Sequence, residues 1–135
     1  MTVGEWDLYQ RDCPSRRLLD RIGDRWTVLI VGALDARAMR FTEIATEVDG
    51  ISQKMLTQTL RSLERDGFVT RTAYPVVPPH VEYELTELGR SLQDPLRALE
   101  RWAIDNMDTV VSRQGDYDAG GTRATATTTQ RSSNG

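Results

Sequence analysis

Ile51-Ser52-Gln53-Lys54-Met55-Leu56-Thr57-Gln58-Thr59-Leu60-Arg61-Ser62-Leu63-Glu64-Arg65-Asp66-Gly67 is the stretch that decides the fold of this chain. At helical period it has two unlike faces. Leu56, Leu60 and Leu63 recur at i, i+4 and i+7, the spacing of a buried stripe, and Ile51 and Met55 widen that stripe at its N-terminal end. The other face carries Lys54, Thr57, Gln58, Arg61 and Arg65. Ser52 is placed to cap the first turn through its hydroxyl, and Gly67 to end the helix in a left-handed conformation. With Met55 three residues after Ser52, a full capping box is excluded. A solvated helix face is ordinarily built from Glu and Lys in i, i+4 pairs. Here the acids wait until Glu64 and Asp66, and the first turns offer Ser, Gln, Lys, Thr and Arg. Those side chains are the donors and donor-acceptors that read base edges and bind phosphates. By itself the segment fits a plain amphipathic helix as well as a DNA-reading one, and its neighbours separate the two.

Upstream, Phe41, Ile44, Ala45 and Val48 predict a short helix, and Asp49-Gly50 a tight turn. A short helix, a turn containing Gly and a longer donor-rich helix make the helix-turn-helix plan. Its second helix lies in the major groove with its N-terminal residues nearest the bases, which makes Ser52, Gln53, Lys54, Thr57, Gln58 and Arg61 the candidate DNA contacts. Downstream the period changes to two. Residues 68–74 are rich in β-formers, 81–85 alternate apolar and acidic side chains, and Pro75, Pro78 and Pro79 stiffen the loop between them. A hairpin over 68–85 after a recognition helix is a wing. Arg71 and His80 are its candidate phosphate contacts, although His80 is equally readable as an exposed loop residue.

Before the helix-turn-helix, Cys13-Pro14 opens a helix over 15–22, with proline suited to the first helical position. Asp24 is an N-cap for a helix over 25–34 whose expected core face is Trp26, Leu29, Ile30 and Ala33. Thr86 opens a last helical stretch. Leu85, Leu88, Leu92, Leu96, Leu99, Ala103, Asn106 and Val110 form a near-heptad stripe in it, with Trp102 and Met107 alongside. Asp94-Pro95 interrupts the stripe and predicts a kink or a restart capped by Asp94. So long a stripe needs a cover. Either a second copy of the chain supplies it, or it folds back on Trp6 and Trp26. From about Gly115 the composition collapses to Gly, Thr, Ala, Ser, Asn and Arg, which cannot bury enough apolar surface to order itself. The expected organisation is an arm over 1–12, one domain over 13–113 and a disordered tail over 114–135.

Composition narrows the function. Apolar residues make up 39% of the 135, low for a compact globule, in keeping with a polar tail. The N-terminus lacks an apolar signal core and no run spans a bilayer, so the expectation is a cytoplasmic protein that does not engage membrane. One cysteine and one histidine argue against metal or a disulfide framework. No cofactor loop or catalytic constellation is present, so an enzyme is not expected. The net charge of -3 speaks against an indiscriminate nucleic-acid coat. Binding depends on where charge lies, and between residues 52 and 71 Lys54, Arg61, Arg65 and Arg71 stand against only Glu64 and Asp66.

With these residues in hand, the chain resembles the HxlR-type regulators, a branch near the MarR-like winged helices, over residues 13–110. The resemblance is carried by Cys13-Pro14, Gly23-Asp24-Arg25-Trp26, Arg40-Phe41, the run from Gly50 to Leu56, Leu63-Glu64-Arg65-Asp66-Gly67, Pro78-Pro79, Val81-Glu82-Tyr83, Leu85-Thr86 and Gly89. It implies a mainly α winged helix-turn-helix protein with a small β-hairpin wing. It also implies a homodimeric transcription factor on an inverted-repeat operator in double-stranded DNA, a repressor more often than an activator. Dimer contacts would run through the N- and C-terminal helices, which makes Leu18, Leu92, Leu96, Leu99 and Trp102 the dimerisation candidates. Two departures stand out. His80 occupies a position where the family often has Arg, and the second cysteine used by relatives that sense oxidants is missing.

Two switches are readable. Cys13 sits before a helix start with Arg11, Arg16 and Arg17 close in sequence, and the helix dipole and those arginines favour the reactive thiolate. An electrophile or oxidant sensor there would shift the dimer-forming helix, and half-sites about 34 Å apart are sensitive to such a shift. The alternative is an inert packing cysteine. Trp6, Tyr9, Trp26, Trp102 and Met107 could line an apolar pocket for a small-molecule effector, or could be ordinary packing. The competing class is a winged-helix protein-interaction module that does not bind DNA.

Overall fold

The computed structural model describes residues 5–120. The elements run α1 (Pro14–Ile22), α2 (Arg25–Ala33), β1 (Met39–Arg40), α3 (Phe41–Glu47), α4 (Gln53–Arg65), β2 (Val69–Tyr74), β3 (His80–Leu85), α5 (Glu87–Ser91) and α6 (Gln93–Asp118). The chain divides into two compact units between Arg97 and Ala98.

The first unit is a winged helix. Its core gathers Ile30, Val31 and Leu34 of α2, Ile44 and Val48 around α3, Leu56, Leu60 and Leu63 of α4, and Phe68, Val69 and Leu85 of the wing base. These are the apolar positions whose helical or strand period points inward. The sheet has the order β1-β3-β2, all antiparallel. Strand β1 has no signature in the sequence: Met39 pairs with Tyr83 and Arg40 with Glu82, and two residues carry no period.

Several expectations change. Met55, expected to widen the buried stripe of α4, is exposed instead. The inward face of α2 is rotated, so that Thr27, Ile30, Val31 and Leu34 are buried, Trp26 and Ala33 are half-buried and Leu29 is exposed. Apolar residues surround most of this helix, so periodicity alone does not choose a face. The restart in the last helical stretch falls at Leu92, not at Asp94: α5 ends there, and Pro95 lies in the first turn of α6, where its missing N–H costs nothing. Finally, α6 runs through residues 114–118, which the composition assigns to the tail. Gly115 in a helix interior costs only about 1 kcal/mol relative to Ala, which does not stop propagation. The helix ends instead at Gly120, with φ +93° and its N–H donating to the carbonyl of Tyr117. The arm residues 1–4 and the tail residues 121–135 lie outside the described residues.

The second unit, from Ala98, is the body of α6. It exposes Leu99, Trp102, Ile104, Met107 and Val111, and the amide of Asn106 donates to the carbonyl of Trp102. No helix among the described residues is long and apolar enough to cross a membrane.

Candidate nucleic-acid interface

The turn between α3 and α4 is built on Gly50, at φ +89°, a conformation that side chains rarely adopt. Ser52 then caps α4, its Oγ accepting from the Met55 N–H at 3.0 Å. With Leu56, Leu60 and Leu63 buried, the opposite face of α4 turns to solvent. Gln53, Lys54, Gln58 and Arg61 are all exposed on it, and Thr57 is half-buried. Lys54, Arg61 and Arg65 make no ion pair with any described residue, so their charge is open to a partner. Two hydroxyls of the set are already engaged. Ser52 accepts from the Met55 N–H and keeps its hydrogen and one lone pair, while Thr57 donates to the Gln53 carbonyl at 2.9 Å and keeps only acceptor capacity.

The far end of α4 is locked in place. Gly67 takes φ +87°, the Phe68 N–H donates to the Leu63 carbonyl, and the chain turns directly into β2. Thr86 ties the junction from the other side. Its hydroxyl donates to the Gly67 carbonyl at 2.6 Å, its N–H donates to the Phe68 carbonyl, and its Oγ1 accepts from the Gly89 N–H. An Arg21–Asp66 ion pair fastens α1 to the last turn of α4. Neither tie is readable in the sequence, where nothing local marks a partner 19 or 45 residues away.

The wing separates its two candidate contacts. In the register Arg71↔Tyr83 and Tyr74↔His80, strand alternation places Arg71 on the face of Val69 and Leu85, and His80 on the opposite face with Glu82 and Glu84. Arg71 is exposed and makes no ion pair with a described residue. His80 stacks on Tyr74 with ring centroids 4.9 Å apart, and its Nε2 lies 3.2 Å from Glu82 Oε2. A phosphate approaching His80 therefore meets carboxylates, whereas one approaching Arg71 meets a free guanidinium.

Residues 21–111 match the HxlR-like helix-turn-helix family. The chain belongs to that family. It is 45% identical to the HTH-type transcriptional regulator YtfH of Escherichia coli (strain K12) over 80% of this chain and 86% of that one. The ytfH protein of Salmonella typhimurium, at 44% identity, superposes with a TM-score of 0.77 over 82% of this chain and 99% of that chain. The redox regulator HypR in its reduced form is 39% identical, with a TM-score of 0.67 over 73% and 98%. This HxlR-like chain is thus a transcriptional regulator of the helix-turn-helix type, not an enzyme.

Cys13 of this HxlR-like regulator is half-buried at the N-cap of α1. The Ser15 hydroxyl lies 3.1 Å from its Sγ, and the Asp7 N–H donates to the same sulfur at 3.2 Å. Those hydrogen bonds, Ser15 first, pull the thiol below its ordinary 9.0. The expected arginines play no such part: Arg16 turns away to donate to the Leu8 carbonyl.

The remaining candidates differ in exposure. Trp26 is half-buried against the core, while Trp6 and Tyr9 of the arm and Trp102 and Met107 of α6 are exposed. Of the dimerisation candidates, Leu18, Leu99 and Trp102 are exposed. Leu96 is not available: it is 8% exposed and belongs to the chain's own core, with Leu92 packed beside it. The first turn of α6 thus packs on the core of the winged helix.

Proposed function

We propose that the protein works as a homodimer that represses transcription from an inverted-repeat operator, with α4 in the major groove and the Arg71 face of the wing along the backbone. The observation that carries this reading is the outer face of α4, where Gln53, Lys54, Gln58 and Arg61 are exposed while the inner leucines are buried. Cys13 is its redox switch. Hydrogen peroxide, with one proton from solvent, oxidises the thiolate to a sulfenic acid and leaves as water. The sulfenic acid then condenses with a second thiol, either Cys13 of the other subunit or a small thiol, with loss of a second water. The lowered thiol pKa and the likeness to the redox regulator HypR support this assignment.

A gel-shift titration against the DNA upstream of the protein's own gene tests the reading. Affinity should fall linearly on a log-log plot with salt, and Lys54→Ala and Arg61→Ala should each reduce the slope by about 1. Gln58→Ala should cost about 1–3 kcal/mol on the operator and little on random DNA. Equal affinity for operator and scrambled fragments would favour the protein-interaction module instead. Cys13→Ser should abolish the response of operator binding to peroxide.

A further inference from the structure

A cleft of about 420 Å³ opens between α1, α2 and the recognition helix α4. It lies within the size range of small-ligand sites and is lined mainly by polar side chains. Thr27 contributes to its floor. That residue is wholly buried, and its Oγ1 has no hydrogen-bond partner among the described residues. A buried hydroxyl without a partner is uncommon in folded proteins, and one lining a cleft is open to a ligand atom or a water. Beside it, Thr59 gives its hydrogen to the Met55 carbonyl at 2.8 Å and retains acceptor capacity.

The rim sets the ligand's charge. Arg17 and Asp20, one turn apart on α1, are ion-paired neither with each other nor with another described residue. Asp24 spends Oδ2 on the Trp26 N–H at 3.0 Å and leaves Oδ1 unbonded. Arg21 is committed to Asp66. The cleft therefore offers one free guanidinium, free carboxylate oxygens beside it and an orphaned hydroxyl beneath. A dianion would meet Asp20 and Asp24, and a dication would meet Arg17. A molecule with a carboxylate at one end of a short frame and an ammonium at the other fits both.

We propose that this cleft binds a free α-amino acid, its carboxylate on Arg17, its ammonium on Asp20 and Asp24, and a polar side-chain atom on Thr27. Binding weakens the hold on the operator. This second step rests on the DNA reading above. Gln58 carries the coupling, because it lines the cleft and also belongs to the outer face of α4. A ligand that engages this amide, or that moves α1 against α4, changes the reading face, and linkage requires DNA to weaken the ligand equally.

The experiment is thermal unfolding of the full chain with each proteinogenic L-amino acid at millimolar concentration, with N-acetyl and carboxamide derivatives as controls. A saturable rise in Tm with at least one free amino acid is expected, absent with its derivatives and lost in Arg17→Ala and Asp20→Ala. Thr27→Val, which keeps the side chain's shape, should weaken that ligand by about tenfold, as one lost hydrogen bond implies. No rise with any amino acid, or a rise undiminished in Arg17→Ala, overturns the site. An amino acid that binds but leaves operator affinity unchanged overturns the coupling. Operator binding is measured without amino acid in parallel. Tight operator binding with no amino-acid response sinks only this inference, and an amino-acid response without operator binding sinks only the DNA reading.

Discussion

Gly89 stands where α5 crosses the start of the wing, and its replacement by alanine tests how the wing is fixed to the recognition helix. A Cβ at this position would lie closer than 3.0 Å to the Phe68 carbonyl oxygen and 3.1 Å from both the Phe68 carbonyl carbon and Leu85 Cδ2. The obstacle is backbone, and it is already occupied: the Phe68 carbonyl accepts from the Thr86 N–H at 3.0 Å. Neither group can swing aside as a flexible side chain would. Forcing a methyl into a packed junction costs typically about 1–3 kcal/mol and occasionally more, and a rigid partner places this case at the upper end. Alanine recovers up to about 1 kcal/mol of helix propensity, so the net loss should be at least about 2 kcal/mol.

Gly50 is the control. It has φ +89°, but a methyl added there would meet nothing within 4 Å, so Gly50→Ala should cost only the left-handed conformation, about 1–2 kcal/mol. Urea unfolding at one fixed protein concentration measures both, because association would otherwise shift the midpoints. The expected order is wild type, then Gly50→Ala, then Gly89→Ala, with unchanged m-values. A Gly89→Ala protein as stable as the wild type, or more stable than Gly50→Ala, would refute the packing argument. Below its melting range Gly89→Ala should also bind operator less tightly, since relief of the contact moves the wing.

Other outcomes follow from single residues. Ser15→Ala removes the largest influence holding the Cys13 thiol down, so the pH midpoint of iodoacetamide alkylation should rise and the rate at neutral pH should fall; an unchanged midpoint would contradict the hydrogen-bond account. Thr27→Val should leave the apo protein as stable or more stable, by up to about 1–3 kcal/mol, because it removes an unsatisfied buried hydroxyl; a clear loss of stability in calorimetry would mean that the hydroxyl has a partner. Trp102→Glu places a charge on an exposed apolar stretch of α6 and should yield a monomer by light scattering with at least about tenfold weaker operator binding.

The helix-turn-helix was legible because its information is local. Leucine spacing, Ser52, Gly50 and Gly67 each act within a few residues, and each has the predicted role in the structure. The wing was legible for the same reason, since its alternation and prolines are contiguous. What escaped is nonlocal or lacks a period. Strand β1 is too short to show alternation, and α2 is too uniformly apolar to reveal its buried face. The opposite orientations of Arg71 and His80 depend on the hairpin register, which residue types alone did not fix. Of the hydrogen bonds that lower the Cys13 pKa, the one from Asp7 depended on where the arm folds, while the larger one from Ser15 is local and was overlooked in favour of the arginines. The cleft under Thr27 joins three helices and has no sequence signature at all.

These same ties offer a path by which a signal on α1 would reach α4. Cys13 begins α1, and Arg21 near its other end is bonded to Asp66 at the C-cap of α4. Asp66 adjoins Gly67, whose carbonyl accepts from Thr86, so the wing root and the recognition helix share one rigid junction. Thus α1 is tied directly to α4, the helix that enters the groove in the proposed reading, and the cleft lies between the two. In the two proposals above, a thiol modification would act on α1 at its N-terminus, and a ligand on Arg17 and Asp20 along its length. Besides Gln58, the Arg21–Asp66 pair offers both signals a route to α4. If that pair is the route, the two signals are not independent, and oxidation of Cys13 should change the affinity of the cleft for its ligand by the same factor as ligand changes the oxidation equilibrium.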